Sequence, residues 1–70
     1  MYFRRIEELR VDNDRTQQEI ADFLHIHREV YRRYEKGIRT IPVEFVIQLA
    51  EYYHTSTDYL LGRTDDRGAG

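Results

Sequence analysis

The segment TQQEIADFLHIHREVYRRYEKG, Thr16 to Gly37, restricts the possible folds more than any other part of the chain. It packs two runs of helical periodicity together with only His25, Ile26 and His27 between them. Thr16 followed three residues later by Glu19 is a capping-box signature, in which hydroxyl and carboxylate satisfy each other's backbone N–H groups at a helix start. The helix that begins there carries Ile20, Ala21, Phe23 and Leu24 inward. The next runs from about Arg28 to Lys36, and Gly37 suits the position just past its end. So short a connection ties the two helices into one unit.

The flanking sequence supplies partners for this pair. Phe3, Ile6 and Leu9 recur at helical spacing and predict a first helix from about Tyr2 to Val11, which "DNDR" interrupts. Beyond "IRT", Pro42 fits the first turn of a fourth helix, which Phe45, Val46, Leu49, Tyr52 and Tyr53 continue. After "HTS", Ser56 offers an N-cap oxygen to a brief fifth helix from Asp58 to Leu61, ending at Gly62. The expected fold is all-α, a compact five-helix bundle over residues 1–62, with the polar, Gly-rich "RTDDRGAG" of residues 63–70 as a flexible C-terminal tail. Seventy residues leave room for one domain only.

Composition removes several function classes. There is no Cys, so disulfides and thiolate zinc sites are excluded. No run approaches the roughly 20 apolar residues of a membrane span, and Met-Tyr-Phe-Arg-Arg lacks the apolar stretch of a signal peptide. A cytoplasmic protein without a membrane partner is expected. The net charge of −2 does not advertise a polyanion partner, but its distribution does. Steps of roughly 100° around the third helix put Val30, Tyr31, Tyr34 and Glu35 on one side. Arg28, Glu29, Arg32, Arg33 and Lys36 fall on the other. Arg39 follows, whereas Pro42 to Leu61 holds Glu44, Glu51 and Asp58 with no Lys or Arg. That polarity fits one surface facing phosphates. The pattern alone also fits an ordinary solvated helix exterior.

Two helices joined by a three- or four-residue turn, the second one basic, form a helix-turn-helix arrangement. The segment opening this section resembles the lambda-repressor and Cro type, the Xre family, whose usual form begins Thr-Gln-x-Glu-Leu-Ala and ends Tyr-Glu-x-Gly. The resemblance continues through PVEFVIQLAEYYHTSTDYLLG, since that family commonly ends in Ser-x-Asp-x-Leu-Leu-Gly, and covers roughly Arg5 to Gly62. It implies a lambda-repressor-like bundle in which Ile20, Ala21, Leu24, Ile26, Tyr31 and Tyr34 hold the second and third helices at their crossing angle. It implies an internal ion pair between Arg10 and Glu35. His27, Arg28, Glu29, Arg32 and Arg33 match the positions that meet base edges and flanking phosphates. Gln17, Lys36, Arg39 and Thr40 match those that touch the DNA backbone.

The implied function is a sequence-specific double-stranded DNA-binding transcriptional regulator of the repressor kind. It would act as a homodimer on a palindromic operator in a bacterial or phage cytoplasm, at the nucleoid when bound. The alternative is a protein-interaction module or antitoxin using the same fold, with a toxin-like partner and DNA binding secondary.

The chemistry of these positions is independent of the resemblance. Arg can donate two hydrogen bonds to guanine O6 and N7 in the major groove, which makes Arg28 and Arg33 candidate base readers. Glu29 could accept from cytosine N4, or could complement the helix N-terminus and orient Arg33. His25 and His54 stand where the family usually has Gly or Asn, just past helix ends, and His tolerates the left-handed backbone wanted there. His27 replaces the common Ser or Thr cap of the third helix. Tyr31 should bury its ring and find a hydroxyl partner at the rim. Tyr52, Tyr53, Tyr59 and Phe45 load the later half with aromatics, for the core or for self-association. His25 and His27 give only two nitrogen ligands without the i, i+4 spacing, so no metal is expected. No nucleophile–base pair, phosphate-cradling Gly loop or paired carboxylate is recognisable, so neither enzyme activity nor a cofactor is expected.

Overall fold

The computed structural model describes residues 1–67. These form α1 (Arg4–Asp12), α2 (Gln17–Leu24), α3 (Arg28–Glu35), α4 (Val43–Tyr52) and α5 (Thr57–Leu60), with no strand among the described residues. The capping box of α2 is present in both directions: Glu19 N donates to Thr16 Oγ1 at 3.1 Å, and Thr16 N to Glu19 Oε1 at 3.0 Å. Ser56 Oγ accepts from Tyr59 N at 3.0 Å and opens α5. His25 and His54 adopt left-handed backbone at φ 59° and 56°, each closing a helix; Asp14 does the same after α1 at φ 56°. Asp, like His, is among the residues that tolerate this region.

Helix ends differ slightly from the sequence reading. α1 starts at Arg4, because the backbone of Phe3 is still extended. Pro42 is the residue before α4 rather than inside its first turn. Its carbonyl accepts from Phe45 N and Val46 N at 3.1 and 3.2 Å, so it caps the helix through its oxygen.

Every helix contributes to one core. Ile6 and Leu9 come from α1, Ile20, Ala21 and Leu24 from α2, and Tyr31 from α3. Val46, Leu49 and Ala50 of α4, Tyr59 and Leu60 of α5, and Ile41 ahead of α4 complete it. The most extensive pairing is α2 against α3, where Ala21 is fully buried. Phe23 corrects the inward reading of α2. It is 37% exposed, and its ring packs on Tyr52 with centroids 4.6 Å apart. Ile20, Ala21 and Leu24 occupy one arc of the helix, and Phe23 lies roughly 100° from its middle.

Residues 63–67 run back over α5 toward α1. Arg5 lies 4.1 Å over the Tyr59 ring and donates to Tyr59 O at 2.9 Å, to Asp65 at 2.5 Å, and to Thr64 O. Arg67 approaches the same ring at 5.6 Å and reaches Asp12 at 3.4 Å, while Thr55 Oγ1 donates to Arg67 O at 2.6 Å. The rest of the expected tail, residues 68–70, lies outside the described residues.

Candidate nucleic-acid interface

α3 divides its side chains between interior and exterior. Tyr31 and Glu35 are fully buried, Val30 and Tyr34 half-buried, and Arg28, Glu29, Arg33 and Lys36 exposed. Arg32 is half-buried beside them. His27 precedes the helix with extended backbone, and its imidazole makes no cap hydrogen bond. The exposed first turn of α3 therefore presents backbone N–H groups beside the Arg28 cation.

One acid sits among these cations. Glu29 Oε1 accepts from Arg32 Nε at 2.9 Å and from Nη2 at 2.5 Å, and lies 3.8 Å from Arg33 Nε. The Arg32 hydrogen bond, helped by the charges of Arg32, Arg33 and Arg28, holds the Glu29 carboxyl below its ordinary range. Lys36 Nζ is 3.1 and 3.2 Å from the two Glu7 oxygens, which ties the end of α3 to α1. Neither Arg28 nor Arg39 enters an ion pair among the described residues.

Beneath this face, Glu35 joins three helices. Its carboxylate accepts from Arg10 Nε at 2.8 Å and Nη2 at 3.2 Å, from Gln17 Nε2 at 3.0 Å and from Tyr31 OH at 2.7 Å. Burial alone would raise the Glu35 carboxyl, but the bonds from Arg10, Tyr31 and Gln17 outweigh it and leave it lowered. Burial, reinforced by Glu35, pushes the Tyr31 hydroxyl up, so it stays a neutral donor. The hydroxyl thus finds its partner in the interior and not at the rim, because the carboxylate one turn later in α3 is itself buried. Gln17 spends one amide hydrogen on Glu35 and keeps a second, with its carbonyl oxygen, for an outside partner.

The connection after α3 is shaped by close approach. Gly37 has φ 76°, and a Cβ there would stand 2.7 Å from Tyr2 Cβ and 2.8 Å from Tyr2 Cα. Ile38 N and Arg39 N both donate to Arg33 O, at 2.9 and 3.2 Å. The Met1 nitrogen reaches Gly37 O at 3.3 Å and Thr40 Oγ1 at 3.4 Å. Met1 and Tyr2 thus brace the loop that exposes Arg39 and Thr40.

Arg15 and Gln18 were not singled out in the sequence, yet they line a shallow concavity with Arg10, Thr16, Gln17 and Arg28. A cation just before the capping Thr16, at the positive dipole end of α2, is the signal that could have led there, although Arg15 is itself paired with Glu19 at 3.3 Å.

An all-α bundle whose second and third helices meet across a three-residue turn, with a basic outer face on the third, belongs to the helix-turn-helix family, whose model matches residues 6–60. The chain is 35% identical over 66 residues to the HTH-type transcriptional regulator YobD of Bacillus subtilis, covering 94% of this chain and 59% of that protein. It is 36% identical over 53 residues to the cryptic phage CTXphi transcriptional repressor RstR of Vibrio cholerae, covering 76% and 48%. It is 39% identical over 59 residues to the HTH-type transcriptional regulator AnsR of Bacillus subtilis, covering 84% and 51%. The chain spans about half the length of these curated relatives. No solved structure matches it.

Proposed function

We propose that the domain binds double-stranded DNA sequence-specifically as a transcriptional regulator of the repressor kind, with α3 in the major groove. The observation that carries this reading is the outer face of α3. Arg28, Arg32 and Arg33 stand on the half of the helix turned away from Val30, Tyr31 and Tyr34, with Arg28 and Arg33 exposed. His27, Arg28, Arg32 and Arg33 meet base edges and flanking phosphates, and the unpaired Arg28 at the N-terminal end reaches deepest. Gln17, through its spare amide hydrogen, and Lys36, Arg39 and Thr40 hold the backbone. Two copies on a palindromic operator supply the affinity one half-site lacks. The names of YobD and AnsR as transcriptional regulators, and of RstR as a transcriptional repressor, support the same reading.

Fluorescence anisotropy with duplex DNA at rising salt tests the proposal. Affinity should fall steeply with salt, and Arg28→Ala with Arg33→Ala should reduce preference for the selected duplex over a scrambled one. A salt-independent affinity, or an unchanged double variant, would sink it.

A second reading, a protein-binding module or antitoxin, draws on a different surface. Val43 and Ile47 of α4 are 70% and 46% exposed one turn apart, beside exposed Glu44 and Glu51. A co-transcribed toxin-like reading frame beside the gene would favour it.

A further inference from the structure

A single carboxylate on α3 hydrogen-bonds one of its three arginines. Glu29 Oε1 takes both the Nε and Nη2 hydrogen bonds of Arg32, at 2.9 and 2.5 Å, whereas Arg33 Nε stays at 3.8 Å. Arg28 on the preceding position has no ion pair. A guanidinium carries five N–H donors in a rigid plane. With the Nε–Nη2 edge spent on Glu29, Arg32 retains three hydrogens, of which one on Nη1 and one on Nη2 lie along its far edge. Guanine presents two acceptors, O6 and N7, at a spacing that such an edge matches.

We propose that Glu29 is a positioning residue that sets the base preference of the domain by fixing Arg32, so that the Nη1–Nη2 edge of Arg32 reads guanine while Glu29 itself touches no base. The inference rests on the DNA-binding reading above and assigns within it which arginine is restrained and by what. Glu29 Oε1 is filled by the two Arg32 bonds, so a contact to cytosine N4 would fall to Oε2, and selection from random duplexes separates that role from positioning. Keeping the Arg32 bonds leaves the acid neutralised and its partner ordered before DNA arrives, and such prior ordering favours specificity. Arg39, which has no such tether, acts through charge on the backbone whatever sequence is present.

This arrangement has an unusual consequence. Loss of Glu29 removes a negative charge from a surface facing phosphates, so binding to arbitrary DNA strengthens while discrimination weakens. Selection from random duplexes with the full chain, for the unsubstituted protein, Glu29→Ala, Arg32→Ala and the double variant, tests it, with circular dichroism to confirm helicity. The unsubstituted protein should select a guanine at a position that Arg32→Ala relaxes. Glu29→Ala should relax the same position and no other, and the double variant should go no further than Arg32→Ala. By anisotropy, the ratio of selected to scrambled affinity should fall about tenfold in Glu29→Ala, with scrambled affinity raised. Relaxation at a position that Arg32→Ala leaves intact would make Glu29 a base reader and overturn the proposal; so would an unchanged preference. If the unsubstituted protein selects no motif and shows no salt dependence, the DNA-binding reading fails first and the role of Glu29 falls with it.

Discussion

At the scale of single residues, Glu35 carries the greatest structural consequence. A fully buried carboxylate is tolerable only when its oxygens are filled, and here four donors from Arg10, Gln17 and Tyr31 fill them. Arg10→Ala leaves that charge uncompensated and should cost about 3–5 kcal/mol in urea unfolding. The pH dependence follows from the lowered folded-state carboxyl. The unfolded chain binds the proton at the ordinary value of 4.5, and the folded chain only below it. Stability from Glu35 is therefore complete above about 4.5 and is lost as pH falls through the folded value. Acid unfolding followed by circular dichroism should be shallower below that point in Glu35→Gln than in the unsubstituted protein. A resemblance in the sequence pointed to Arg10 and Glu35 together, and the helical wheel set Glu35 on the buried side. Neither indicated that Tyr31 and Gln17 would converge on it, because that depends on how far α1 and α2 approach α3.

Among elements, the turn and loop on either side of α3 decide how it is presented. The capping box, the left-handed His25 and the Ser56 cap were legible in the sequence because each depends on atoms within three or four residues of chain. Gly37 was legible as a helix stop, but the tighter constraint comes from Tyr2, thirty-five positions away in sequence. Gly37→Ala meets both a left-handed backbone and the backbone of Tyr2, so it should destabilise the domain by about 2 kcal/mol or more. Thermal unfolding would read this as a loss of roughly 10 °C for a domain of this size. Phe23 illustrates the opposite failure. It is a large apolar residue that sequence placed inward, yet it sits half out on Tyr52, because the arc of α2 facing the core was already full.

Across the whole molecule, the separation of charge matters more than its sum. The basic face of α3 and the Arg39 loop lie on one region of the chain, while α4 and α5 carry Glu44, Glu51 and Asp58 without a cation. Lys36 is already engaged by Glu7, so it should add less to the salt dependence than the unpaired Arg39. In titrations of DNA at several salt concentrations, Arg39→Ala should reduce the slope of log affinity against log salt by about 1 per half-site, equally for selected and scrambled duplexes. Lys36→Ala should reduce it by less.

The sequence by itself determined the five helices, the caps of α2 and α5, the left-handed stops at His25 and His54 and the split of α3 into an inner and an outer face. All of these follow from periodicity and from hydrogen bonds between near neighbours along the chain. Only the tertiary structure decided which cations are free and which are tied. It tethered Arg32 rather than Arg33 to Glu29, brought Lys36 to Glu7, converged three helices on Glu35, and laid residues 63–67 against Arg5 and Tyr59. Ion pairing and stacking depend on distances of a few ångströms between side chains, and those are set by packing and rotamer choice rather than by the order of residues.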